Sequence, residues 1–378
     1  MLKDKVTCKG KAFSRIIEVW LENTDFAGIL LTNYNAVTHP SEQLLDSLIR
    51  RCNRGDSFGM HDDNMYHIPS NISTVVDLLE DKGFSWTTYQ ENMLADEFCG
   101  FNYNAKNYIS LGSADYPYYV RKHNPLMIYD AVSQDATRVK RIRTFNDFAN
   151  DGVNGTLPQW VFVTPNMVND AHDTVIDFAA SFLEYWLLPL LTDPRVSDGE
   201  TLILLTFDET ETYTIQNNVF AVLLGGAVPV NLRGTTDDTL YTHYSSLSTV
   251  QANWGLKSLG RHDTVAAVSN VFSFVAAKTG YKNVKVPANQ VAQFNLTSVT
   301  PGALTSASFA PFATPNLKAR GAGGGAVLTR PGLNTKLTAA SLLPPVDMLA
   351  LNKTTPWQMS PRTTSGTSII PCADADCA

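Results

Sequence analysis

Four short apolar stretches constrain this chain more than any other feature. Ile16 to Leu21, Trp160 to Thr164, Leu202 to Phe207 and Val219 to Leu224 are rich in branched and aromatic residues and are nearly continuous rather than alternating. A strand with one wet face reads with period two, whereas a continuous run must be covered on both faces, as strands in a parallel sheet are. Helical patterns lie between them. Ile72, Val75, Val76 and Leu79 recur at i, i+3, i+4 and i+7 and stop at Gly83, while Val175 to Leu188 is long and apolar, with Pro189 expected to end it. This alternation predicts the α/β class, a mainly parallel sheet flanked by helices.

Charge excludes several functions. The 378-residue chain carries a net charge of −7 and no dense Lys/Arg run, so nucleic acid is a poor partner. An anionic substrate then has to be held by local chemistry such as a metal, an arginine or a helix N-terminus, because the overall field repels it. No apolar run approaches the roughly 18 residues a membrane span needs. Met1 to Cys8 is charged and lacks an apolar core, so it is not a signal peptide as written. The acceptor sequons at Asn71, Asn154, Asn295 and Asn352 favour a secreted protein with N-glycans. The five cysteines, odd in number and without a CxxC pair, leave the compartment open. Residues 311–378 hold the Gly321 to Gly325 run and eight prolines, and read as a low-complexity, poorly ordered tail draped on a body of residues 10–310.

In open α/β sheets ligands bind beyond the carboxyl ends of the strands. There the sequence turns polar: Glu22-Asn23-Thr24-Asp25 follows the first run, Asp208-Glu209 the third in chain order, and Asn166 to Asp173, with His172, the second. Crowded carboxylates stay ionised only around something positive, and oxygen donors from Glu22, Asn23, Asp208 and Glu209 suit a hard divalent cation such as Mg²⁺, Ca²⁺ or Mn²⁺. Taken singly, each acid reads first as a solvated loop residue or a helix cap, and it is the coincidence of two adjacent pairs on two strand ends that points to a metal. Thr38 and Ser41 flank His39 after the apolar Ile29 to Leu31, and a hydroxyl at a strand-to-helix turn can attack phosphorus if a metal lowers its pKa. His243 begins a segment in which Leu247, Val250 and Trp254 follow at helical spacing; metal binding and a plain loop position are both open to it.

The strings WLENTDF, TNYNAVTHPSE, SNISTVVDLLEDKGFSW, YVRKHNP, TPNMVNDAHDT, LILLTFDE, FAVLLGGAVP and THYSSLSTVQANWGLKSLGR together resemble the fungal acid phosphatases of the phosphoesterase family, from about Gly10 to about Ala277. That family includes bacterial phospholipases C and belongs to the alkaline phosphatase superfamily. The resemblance implies an alkaline-phosphatase-like fold and a secreted or cell-wall acid phosphatase hydrolysing phosphate monoesters through a metal-assisted phosphoserine. It places Glu22, Asn23, Asp208 and Glu209 on the metal and makes Ser41 the nucleophile. His172 and His243 become candidates for proton transfer, and Asn166 and Asp173 for substrate binding.

Three segments differ from the family pattern. Asp25 to Ala27 leads straight into Gly28, although two adjacent parallel strands need a crossover of a dozen or more residues. Gln43 to Arg54 replaces the usual continuation of HPSE, and Ile109 to Asp115 looks inserted. Two other readings stand beside the phosphatase. A phospholipase C-type diesterase needs an apolar entrance, which the polar segments do not suggest. A non-catalytic secreted glycoprotein would keep the scaffold and lose the nucleophile's turn.

Overall fold

The computed structural model describes residues 9–21, 28–37, 68–211, 215–287 and 314–333. In chain order the first elements are β1 (Arg15–Leu21), β2 (Ile29–Leu31), β3 (Tyr34–Asn35), α1 (Val75–Asp81), β4 (Trp86–Gln90), β5 (Asn102–Ala105) and β6 (Tyr116–Val120). Next come α2 (Asp130–Ser133), β7 (Ile142–Thr144), α3 (Phe145–Asn154), β8 (Trp160–Thr164), α4 (Ile176–Thr192) and β9 (Thr201–Phe207). The last are β10 (Ala221–Leu224), β11 (Thr236–Asp237), β12 (Tyr241–Thr242), α5 (His243–Trp254) and α6 (Ser273–Thr279). No helix among the described residues is long and apolar enough to cross a membrane.

Eight strands form the central sheet in the order β11-β2-β10-β9-β1-β8-β4-β7. Only β10 runs against its neighbours. The four apolar stretches are the contiguous centre, β8-β1-β9-β10, and β8 and β9 are buried at every position. The expected α/β class and mainly parallel sheet are therefore present. β1 and β2, linked by only a few residues, are not neighbours, since β9 and β10 lie between them.

Helix α1 begins at a capping box in which the Thr74 amide donates to Asp77 Oδ2 at 2.8 Å, and stops before Gly83, whose φ of +78° suits a residue without Cβ. Helix α4 turns Ala179, Leu183 and Leu187 to the core at i, i+4 and i+8. It does not end at Pro189 but runs three residues past it. Pro189 and Tyr185 are both exposed there, so water meets the carbonyl that the proline leaves unpaired. Helix α5 is buried along its whole length despite many polar residues, because distant partners satisfy them. Asn253 Oδ1 accepts from the Ala12 amide at 2.7 Å, and Asn253 Nδ2 donates to the Phe13 carbonyl at 2.9 Å.

Ile109 to Asp115 forms the exposed tip of the β5–β6 hairpin, where added residues disturb no core. Within the tail, residues 314–333 pack on the body. Val327 bridges Ser258, Asn316 donates to the Gly260 carbonyl at 2.7 Å, and Arg330 Nη1 donates to Asp77 Oδ1 at 2.6 Å. The Gly-rich run has a steric reason. A Cβ on Gly323 would stand 2.3 Å from the Leu256 carbonyl oxygen.

Candidate active site

Parallel register brings several strand ends to one rim. Leu21 of β1 is level with Phe207 of β9, Val19 with Val163 of β8, and Thr164 with Gln90 of β4. Asp208-Glu209, the 165–173 loop and Glu91-Asn92 therefore leave the sheet side by side. Glu22 and Asn23 directly follow Leu21 but lie outside the described residues, as do Thr38, His39 and Ser41. Among the described residues, no three His, Cys, Asp or Glu side chains converge as a metal site.

On the β9 side, Asp208 is nearly buried and its Oδ1 accepts from the Glu209 amide at 2.8 Å. Its backbone carbonyl accepts from His243 Nε2 at 2.7 Å. A carbonyl can only accept, so Nε2 carries the proton, and Nδ1 takes the Tyr34 hydroxyl at 3.3 Å. The imidazole is fully buried, with the rings of Trp20 and Tyr34 4.8 and 5.4 Å away, and burial lowers its pKa to about 3. It sits at the first position of α5 because Thr242 caps that helix, its Oγ1 accepting from the Tyr244 amide at 3.1 Å. Both ring nitrogens are engaged within the protein. His243, a candidate for proton transfer by its sequence, here holds the end of β9.

On the β8 side, Asn166 is equally committed. Its Oδ1 accepts from the amides of Val168 and Asn169 at 2.9 and 2.8 Å, and its Nδ2 donates to Asn92 Oδ1 at 2.6 Å. Its own amide donates to Glu91 Oε2 at 2.9 Å. Asn166, a candidate for substrate binding by its sequence, thus builds the loop. Asp170 is buried, accepting from the His172 amide at 2.8 Å, with its Oδ2 3.2 Å from His123 Nδ1. Burial raises its pKa to about 7. Ala171 has a φ of +72°, a left-handed turn that a non-glycine residue takes at some cost and that carries the chain on to His172.

His172 is the histidine of this loop that reaches solvent, its side chain 30% exposed. Nδ1 lies 2.7 Å from Asp173 Oδ1, and Nε2 lies 3.2 Å from Lys122 Nζ. Asp173 also accepts from the Tyr116 hydroxyl. Burial pushes the Asp173 carboxyl up, but bonds from Tyr116 and His172 and the charges of His172 and Lys122 outweigh it and leave the pKa lowered. The structure brings His172 and Asp173 together, and adds Glu91, His123, Asp170, Lys122 and Tyr116, which the sequence reading did not select. Glu91 had a findable signal: it directly follows a strand, WTTYQ, whose two threonines hide its buried character. A shallow crevice lined by Glu91, His123 and Thr164 lies beside this group.

Comparison with known proteins shows the family of the chain. The Phosphoesterase family model matches residues 33–257. An acid phosphatase of Aspergillus fumigatus is 46% identical over 330 residues, 83% of this chain and 70% of that protein. A phosphate-repressible acid phosphatase of Penicillium chrysogenum is 43% identical over 82% of this chain and 75% of its own length. An acid phosphatase of Aspergillus niger is 45% identical over 74% of this chain, which spans 66% of it. Among solved structures, a protein in the alkaline phosphatase superfamily from Vibrio parahaemolyticus aligns with a TM-score of 0.40 and 10% identity, covering 65% of this chain and 67% of that one, too distant to bear on the chemistry. With the family model matching more than half of the chain and relatives this similar along most of it, the chain belongs to the phosphoesterase family.

Proposed function

We infer that this protein is an acid phosphatase that releases inorganic phosphate from phosphate monoesters. The observation that carries the reading is 43–46% identity to fungal acid phosphatases over 74–83% of the chain.

For the mechanism we propose a metal-assisted phosphoserine route. Glu22-Asn23 and Asp208-Glu209 leave the sheet from Leu21 and Phe207, register partners on neighbouring strands, and their donor set of carboxylate and amide oxygens fits a hard divalent cation, Mg²⁺, Ca²⁺ or Mn²⁺. Such a cation, when bound, offsets phosphoryl charge and lowers the pKa of a nearby hydroxyl. Ser41 Oγ, its proton passing to water, bonds to phosphorus as the ester P–O bond breaks, and water then cleaves the phosphoserine to phosphate and free serine. His172, oriented by Asp173 through Nδ1, protonates the departing alkoxide from Nε2 once the ester oxygen takes the place of Lys122 there. His243 holds the Asp208 carbonyl and so the direction in which that residue leaves β9.

We also place the protein outside the cell or in the cell wall. Asn154, exposed at the end of α3, is open to an N-glycan, whereas the Asn71 amide is engaged with the Gly332 carbonyl at 3.2 Å.

Activity and labelling test the mechanism. Asp208→Asn is expected to abolish metal-dependent turnover while folded yield is kept, and acid-quenched incubation with labelled substrate to leave phosphate on Ser41. Full activity after exhaustive chelation would remove the metal from the mechanism, and label on Thr38 would reassign the nucleophile.

A further inference from the structure

Beside His172 the surface changes character. The β5–β6 hairpin exposes Tyr108, Ile109 and Leu111, the last 79% exposed, and the residues opening α4 expose Val175, Ile176 and Phe178. Single exposed apolar residues are ordinary, but six on two segments tied together are not. The tie is the hydrogen bond from the Tyr116 hydroxyl to Asp173, two residues before Val175. The rings of Tyr116 and Tyr118 lie 4.8 Å apart and those of Tyr118 and Tyr108 stack at 4.6 Å, so a ladder of aromatic rings runs from Asp173 to the hairpin tip. The tip is held in shape, since the amides of Ile109 and Ser110 both donate to Asn107 Oδ1, at 2.9 and 2.8 Å. The polar pair His172-Asp173 is thus linked to the hairpin through the tyrosine ladder and to the apolar opening of α4 through the chain itself.

We propose that this rim is a leaving-group subsite for soluble phosphate monoesters whose alcohol carries an alkyl chain or an aromatic ring; the proposal rests on the phosphatase reading above. A phosphoryl group at the strand ends, with its leaving oxygen toward His172, sends the rest of the ester outward across the rim. The side chains there can remove apolar surface from water but offer little to a sugar or a polyol. Charge argues against an anionic membrane as the occupant. The chain carries a net −7, and α4 adds Asp177 and Glu184 with no Lys or Arg.

The test uses the full chain and an alkyl phosphate series, in which the leaving-group pKa stays nearly constant from ethyl to hexyl phosphate. A methylene lying against one open face gains about twofold, half of full burial, so over the four methylenes from ethyl to hexyl kcat/KM should rise about fifteenfold. In the double variant Leu111→Ser, Phe178→Ser the hexyl/ethyl ratio should fall to near one. Val230→Ser, an equally exposed apolar residue that follows the antiparallel β10, should keep it. A flat series in the unsubstituted protein, or a ratio that survives in the double variant, overturns the subsite. Binding of ethyl- and hexylphosphonate, which cannot be hydrolysed, separates the two ideas. Chain-length-dependent binding without turnover leaves the subsite standing and sinks the phosphatase, whereas chain-independent binding sinks the subsite alone. Co-sedimentation with phosphatidylcholine/phosphatidylserine vesicles that the double variant abolishes would assign the rim to a lipid surface and overturn the proposal.

Discussion

Glu18 stands in the middle of β1, at the centre of the sheet, with 2% of its surface exposed. Its Oε1 accepts from Trp160 Nε1 at 3.2 Å, and burial raises its pKa from 4.5 to about 7, hydrogen bonds only partly opposing the shift. The ionisable neighbour is Tyr34, which burial and the Glu18 charge keep protonated. In the unfolded chain Glu18 ionises near 4.5, so between about pH 4.5 and 7 the native state holds a proton that the unfolded state has lost, and stability falls as pH rises. At about 1.4 kcal/mol per unit, the penalty at pH 8 is about 3 kcal/mol. Glu18→Gln keeps an acceptor for Trp160 and cannot ionise. Its unfolding free energy in urea should match that of the unsubstituted protein near pH 4.5 and exceed it by about 3 kcal/mol at pH 8. Asp170 and Asp96, also raised, to about 7 and about 6, contribute equally to both proteins and drop out of the difference. A difference that does not grow with pH, or a variant less stable at pH 8, would refute the reasoning. The direction suits an enzyme that works in acid, where the buried carboxyl is neutral and costs least.

Two further outcomes follow from the site and the tail. His172→Ala should lower kcat on alkyl phosphates by about 10²-fold or more but much less on activated aryl phosphates, whose leaving oxygen needs no proton; equal losses on both, measured by phosphate release, would make His172 structural. Arg330→Ala removes a 2.6 Å bond to the buried carboxylate of Asp77 while Arg138 stays paired with it at 2.8 Å, so the loss should be about 1–2 kcal/mol and the melting midpoint should drop by a few degrees. An unchanged midpoint would mean that residues 314–333 add nothing to the stability of the body.

How much of this was legible in the sequence depends on whether a residue's role is local. β1, β8, β9 and β10 were readable because a continuous apolar run reports its own burial. The reversed direction of β10 was not, since it depends on partners in other strands. Strand β4 escaped notice although all five residues are buried, because Thr87 and Thr88 read as polar while the Thr87 hydroxyl is spent on the Trp86 carbonyl at 2.7 Å. The Gly321 to Gly325 run reads as having nothing to bury, yet the missing side chains of Gly323 and Gly325 are what let the chain lie against Leu256.

The same limit divides the site. His172 and Asp173 are adjacent in sequence and act as a pair, so spacing alone suggested them. His243 looked like their equal by residue type. Its role is decided by a carbonyl 35 residues away and by a tyrosine 209 residues away, which together fix the tautomer and close the ring off. Asn166 is likewise settled by Asn92 and Glu91 on another strand end. A sequence displays donors and acceptors without their partners, and a buried polar group has the role its partners leave it. The rim of the sheet therefore holds two kinds of polar residue that the sequence cannot separate. Some, such as His243 and Asn166, are used up in fixing the rim's shape, and others, such as His172, keep a face toward solvent where a substrate can reach it.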